Sequence, residues 1–194
     1  MIRPSRALFL DRDGVINEDR GYVHRREDFV FLDGVFDACR HAAGLGYRLV
    51  VVTNQSGIGR GYYSEEDFQQ LNEWMLARFG QHAVTIAGVY YDSTHPRHGL
   101  GDYRRVSGGR KPAPGMILRA RDELDLDLPH SVLVGDRESD ITAARAAGVG
   151  TAILVCAGPK RGLNTSADQV VGSLADAVAW LASRADRSSS RREM

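Results

Sequence analysis

Five short apolar runs recur along this chain of 194 residues, and segments of helical periodicity fill the gaps between them. The runs cover 7–10, 48–53, 86–91, 131–135 and 151–155. Each is short enough to be a buried strand, and each ends at or near a glycine or a small polar residue. The intervening stripes are Val35, Cys39 and Ala42; Phe68, Leu71, Met75 and Phe79, with Ser64 placed as N-cap; Met116, Ile117, Ala120 and Leu124; Ile141, Ala144 and Ala147, closed by Gly148; and Leu174, Ala177, Val178 and Leu181. Such spacing marks one buried face of a helix. Strands alternating with helices imply right-handed βαβ units. The expected fold is therefore α/β: a Rossmann-like parallel sheet with helices on both faces.

Length favours one domain with a sizeable core, expected over 1–183. The segment 184–194 (RADRSSSRREM) has no apolar periodicity and is expected to be a disordered tail. Twenty-five basic and 25 acidic residues cancel, so no global field draws the chain to nucleic acid or to an anionic membrane. No apolar run approaches a membrane span, and the first six residues hold no signal-peptide core. A cytoplasmic, reduced protein is expected, with Cys39 and Cys156 as small hydrophobes rather than a disulfide or metal pair.

Four of the strand ends carry chemistry. The first run leads into Asp11-Arg12-Asp13-Gly14. Two carboxylates at the carboxyl end of a parallel strand sit where ligands bind in open α/β sheets, and their mutual repulsion is relieved by a hard cation such as Mg²⁺. The plainer alternative is one aspartate capping a helix and the other in solvent. The second run ends Thr53-Asn54-Gln55-Ser56-Gly57. There a hydroxyl and successive backbone N–H groups suit a phosphate, although Thr53 or Ser56 would serve equally as a helix cap. The third motif, Arg110-Lys111-Pro112-Ala113-Pro114-Gly115, fixes a lysine before a helix. Lys111 is then a point charge for a phosphoryl oxygen and Arg110 a fork for a second anionic group, unless both lie in a solvated loop. The fourth, Gly135-Asp136-Arg137-Glu138-Ser139-Asp140, offers Asp136 as a further Mg²⁺ ligand and Asp140 as a group that orients it. One rim of a parallel sheet would gather Asp11, Asp13, Thr53, Lys111 and Asp136.

These four motifs resemble the signatures of the haloacid-dehalogenase (HAD) superfamily of phosphatases. The stretches FLDRDGVIN, DRGYVHRREDFVFLDGV, TNQSGIGRGYYS and RKPAPGM are similar to the family of D-glycero-D-manno-heptose 1,7-bisphosphate phosphatases within it. The resemblance runs from about residue 7 to residue 155. It implies a single HAD-like domain without a large cap. It also implies a Mg²⁺-dependent phosphoric monoester hydrolase that removes the C7 phosphate of a small-molecule sugar bisphosphate. The pathway implied is nucleotide-activated heptose for lipopolysaccharide.

The roles it implies are specific. Asp11 is the nucleophile that becomes an aspartyl-phosphate. Asp13 protonates the leaving oxygen and then activates water. Thr53 and Lys111 hold phosphoryl oxygens. Asp11, the backbone carbonyl of Asp13, and Asp136 hold Mg²⁺. Asp19, Arg20, Gly21, Tyr22, Asn54, Gln55, Ser56, Arg110 and Arg137 match positions that contact substrate.

Many members of that family carry zinc on a C-x-H…C-x-C pattern in the long loop before RKP. Here those ligand positions hold Asp92, Thr94, Ser107 and Gly109. No structural zinc is expected, and Leu100, Tyr103 and Val106 are the expected apolar anchors of the loop. Nearby alternatives are a histidinol-phosphate phosphatase and a polynucleotide 3′-phosphatase. From a different class comes a non-catalytic sugar-phosphate-binding module, which the intact Asp11 and Asp13 disfavour. A monomer acting without nucleic acid or membrane is expected.

Overall fold

A computed structural model describes residues 4–156, 158 and 164–190, with side chains through residue 184. Six strands form one sheet: β1 (Ala7–Leu10), β2 (Arg48–Asn54), β3 (Ile86–Asp92), β4 (Val132–Gly135), β5 (Thr151–Val155) and β6 (Gln169–Val171). All pairs are parallel, in the order β3-β2-β1-β4-β5-β6. The chain moves outward from β1 to β2 and β3, then returns to the other side of β1 for β4. That reversal makes the crevice beyond β1 and β4 the point where such sheets bind ligands. Asp11 and Asp136 directly follow these two strands.

The central strands β1, β2 and β4 are buried on both faces, which explains their apolar runs. Because successive side chains alternate, Leu8, Leu10, Leu49 and Val51 enter one core with Val35 and Cys39 of α1 (Val35–Gly44), Leu71, Met75 and Phe79 of α3 (Glu65–Gln81), and Leu174 and Val178 of α6 (Leu174–Ser190). Phe9, Val50 and Val52 enter the other with Met116, Ile117 and Ala120 of α4 (Gly115–Leu124) and Ile141 and Ala144 of α5 (Glu138–Ala147). A fully buried Leu or Phe contributes about 1.5–3 kcal/mol, so these two layers fix the rim that carries the polar residues. Ser64 caps α3 in a reciprocal capping box with Asp67. Burial pushes the free Cys39 thiol up to about 12, consistent with an inert core residue.

Three elements differ from expectation. The short α2 (Ser56–Gly59) and the three-residue β6 are too brief to show a period. Helix α6 continues through Ser190, past residue 184. Apolar periodicity marks the turns that pack, but an established helix extends one hydrogen bond at a time through good formers such as Arg184 and Ala185. Residues 191–194 lie outside the described residues. Among the described residues, no helix is long and apolar enough to cross a membrane.

Candidate active site

Asp11 lies buried just past β1, where Lys111 meets it. The lysine is only 3% exposed, and its ammonium has three acceptors: Asp140 Oδ1 at 2.6 Å, Asp11 Oδ1 at 3.0 Å and the Val52 carbonyl at 2.8 Å. Burial works against this charge, yet Asp11 and Asp140 together hold the ammonium above its ordinary value. Asp140 also accepts the backbone N–H of Arg137 at 3.0 Å. Its direct bonds are to Lys111 and to the Arg137 backbone, and it lies close to Asp136 as well.

One oxygen each of Asp11, Asp136 and Asp140 lie within 4.8 Å of one another. Two unit charges 4 Å apart repel by about 4 kcal/mol at an effective dielectric near 20. Burial, and then the neighbouring carboxylates, push Asp11 up to about 7 against the pull of Lys111. Burial and Asp140 push Asp136 up to about 6. Asp136 Oδ1 is buried without a protein partner. Since Asp140 is already engaged, the unpaired oxygen of Asp136 and the nearby Asp11 carboxylate fit a hard divalent cation. Gly14 permits this closeness: it has a φ of +87°, and a Cβ there would sit 2.4 Å from Asp136 Oδ2.

Asp13 is held from three sides. Asn17 Nδ2 donates to Oδ1 at 2.9 Å, Gln55 Nε2 to Oδ2 at 3.3 Å, and an Arg12 terminal nitrogen to both oxygens at 3.0 Å. Arg12 is wholly buried, with its guanidinium 5.8 Å from each of the Phe29 and Phe68 rings. The same nitrogen donates to the Val23 carbonyl at 2.7 Å. A buried guanidinium is tolerated only when paired, and Asp13 is that partner.

The other predicted residues divide by what they touch. A cleft of about 570 Å³ opens above Asp11, Asp13, Thr53 and Lys111, within the usual range for small-molecule sites. Asp19, Gly21, Tyr22, Ser56, Arg110 and Arg137 form its walls. Arg137 reaches Asp19 at 2.6 Å across the mouth. Thr53 does not cap α2: its Oγ1 accepts from Gln55, and the α2 N-cap, Gln55, makes no side-chain cap bond. Gln55 is buried and bridges Thr53, Asp13 and the Tyr63 hydroxyl, the last at 2.6 Å. The Asn54 side chain exchanges two 3.0 Å hydrogen bonds with the Lys111 backbone, tying the end of β2 to the RKP segment. Arg20 is the exception. It pairs with Glu18 at 2.7 Å and is absent from the cleft lining. Arg12, Arg60, Tyr63 and His95 are present at or beside the site although no spacing marks them.

The long loop following β3 borders this cleft. Thr94 and Ser107 both bond the Asp92 carboxylate, and the Gly109 N–H bonds Ser107. His95 Nδ1 accepts from the backbone of Arg97 and His98. Tyr103 packs against the Ile58, Tyr63 and Phe68 cluster. The expected anchors Leu100 and Val106 are instead 55% and 87% exposed, and are corrected as such. Polar bonds together with Tyr103 hold the segment.

A HAD-hydrolase-like family model matches residues 109–177. The chain is 54% identical to the D-glycero-α-D-manno-heptose-1,7-bisphosphate 7-phosphatase of Burkholderia mallei, over 91% of this chain and 94% of that one. It is 54% identical to the corresponding β-named 7-phosphatase of Vibrio cholerae, over 78% and 82%. Its structure is similar to that of the D,D-heptose 1,7-bisphosphate phosphatase of B. bronchiseptica complexed with magnesium and phosphate. That match has a TM-score of 0.79 at 27% identity, covering 92% of this chain and 99% of that one. With its motifs at the rim of this sheet and that identity over nine-tenths of its length, the chain belongs to the heptose-1,7-bisphosphate phosphatase family of HAD hydrolases.

Proposed function

We propose that this chain is a Mg²⁺-dependent phosphatase that removes the C7 phosphate of D-glycero-D-manno-heptose 1,7-bisphosphate. The observation that carries the reading is the buried Asp11 paired with Lys111, close to Asp136 with its unpaired oxygen, and lining one cleft with Asp13. Asp11 attacks phosphorus and forms an aspartyl-phosphate, while Asp13 gives its proton to the departing C7 oxygen. Asp13 then takes a proton from the water that attacks this intermediate, releasing phosphate and restoring Asp11. Lys111 and Thr53 face the phosphoryl oxygens from the cleft floor, and Arg110 receives the second phosphate from the wall. Asp11, Asp136 and the backbone carbonyl of Asp13 would hold Mg²⁺, which supplies charge neutralisation between the phosphate and the carboxylate that attacks it. Covalent capture splits one of the slowest hydrolyses into two easier displacements.

The same reading includes a cytoplasmic monomer without structural zinc. Asp92, one of the loop's few possible donors, already has hydroxyl partners on both oxygens.

Steady-state phosphate release from the α- and β-anomeric heptose bisphosphates, beside histidinol phosphate, tests the substrate. Mg²⁺-dependent turnover of a heptose bisphosphate well above histidinol phosphate is expected. Preference for histidinol phosphate would overturn the assignment. About one zinc per chain retained through dialysis would overturn the zinc-free loop.

A further inference from the structure

We propose that Asp92 is a positioning residue for Arg110 and thereby sets the preference for a substrate with a second phosphate. The proposal rests on the distal-phosphate reading of Arg110 given above. Asp92 is the last residue of β3, in register with Asn54 of β2, and is nearly buried. Its Oδ1 accepts the Thr94 backbone N–H at 2.9 Å and the Thr94 hydroxyl at 2.5 Å. Its Oδ2 accepts the Ser107 hydroxyl at 2.5 Å, and Ser107 Oγ in turn accepts the Gly109 N–H at 3.0 Å. Gly109 is tight against the same carboxylate, since a Cβ there would lie 2.7 Å from Asp92 Oδ2. One side chain thus joins the start and the end of the loop to the sheet.

Arg110 is the next residue, and its geometry follows from both arms. Its backbone continues from Gly109, and its guanidinium donates to the Thr94 carbonyl at 3.1 Å. The Asp92 negative charge also favours the Arg110 cation against burial and the repulsion of Arg60 and Arg137, whose sum leaves it below its ordinary value. A strand-end turn made by Asp92 and Thr94 alone would need neither Ser107 nor the close approach of Gly109. The convergence of both arms on the residue that enters the cleft wall points to placement of the guanidinium. A purely structural Asp92 would lower stability and affect all substrates alike.

The test is kinetic, on heptose 1,7-bisphosphate and heptose 7-phosphate, with Asp92→Asn, Arg110→Ala and the double variant. Asp92→Asn is expected to raise KM for the bisphosphate about tenfold with little change in kcat, the mark of lost uniform binding. Heptose 7-phosphate kinetics should be unmoved, and Asp92→Asn should add nothing in the Arg110→Ala background. Ser107→Ala, a milder change, should shift the same ratio in the same direction and serves if Asp92→Asn does not fold. Equal losses on both substrates, additive effects with Arg110→Ala, or a lower Tm with an unchanged KM ratio would overturn the proposal. If Arg110→Ala itself fails to separate the two substrates, the distal-phosphate reading falls and the proposal with it. If it separates them and Asp92→Asn does not, the proposal alone falls.

Discussion

Lys111 and Ser107 lie four residues apart, yet different forces hold them. Lys111 reaches into the core rim, where its acceptors come from β2, from the residue after β1 and from α5. Two packed apolar layers fix all three of those elements. Ser107 sits in a loop whose nearest hydrophobe, Val106, faces water, and its placement depends on the Asp92 carboxylate. Electrostatics is strong and hard to rearrange on the cleft floor. In the loop it is a few hydrogen bonds, each with a net worth of about 0.5–1.5 kcal/mol, or up to about 3 kcal/mol where one partner is charged. The floor is suited to chemistry that tolerates little displacement, and the loop to selecting what enters.

The sharpest way to break this comparison is at the nucleophile. Asp11→Asn should abolish phosphate release, because an amide has the shape but not the negative charge. Asp13→Asn should lower kcat by about 10²–10⁴-fold, the usual worth of general acid–base help. Rapid-quench detection of phosphoenzyme in wild type, and its absence in Asp11→Asn, would check the assignment. Near-normal turnover by either variant would refute it.

Next comes stability. Lys111→Met should destabilise the fold by roughly 3–5 kcal/mol, since it strands buried Asp11 and Asp140 without their cation. Ser107→Ala should cost about 1–3 kcal/mol, as the hydroxyl's bond to the Asp92 carboxylate and its acceptance of the Gly109 N–H are both lost. Chemical denaturation of both variants measures the contrast, and equal losses would erase the distinction between floor and loop.

The smallest expected effect is a pH dependence of the metal-free protein. Asp11 at about 7 and Asp136 at about 6 both stand above their ordinary 3.8, so the folded state binds more protons than the unfolded one across that window. Stability should then fall as pH rises from about 4 to about 7, the reverse of a salt-bridged carboxylate. Added Mg²⁺ should flatten the slope. Thermal midpoints at pH 5 and pH 7.5, with and without Mg²⁺, test this. A rise with pH in the metal-free protein would contradict it.

Much of the floor was legible in the sequence because each residue terminates an apolar run. Asp11 and Asp136 directly follow strands, and Thr53 stands near the end of one, whose burial is written as Leu, Phe and Val; the parallel topology brings these ends together. Lys111 precedes α4 with prolines that fix its approach. Arg12 carried no comparable signal, since an arginine between two aspartates reads as surface until Phe29 and Phe68 are seen around it. Arg60 and His95 enter the cleft from segments with no period to follow. Leu100 and Val106 misled because apolar character predicts burial only where a partner surface exists, and in that loop the polar cluster does the holding.

The burial of Lys111 bears on how this protein can be handled at the bench. The chain contains only two lysines, Lys111 and Lys160. At 3% exposure, and with its ammonium bound by two carboxylates, Lys111 is shielded from acylating and reductive-alkylating reagents in the folded state. Amine-directed coupling under native conditions would therefore bypass the cleft floor. Slow labelling of Lys111 would then act as a clock for transient opening of the cleft floor, readable by mass spectrometry on a single peptide.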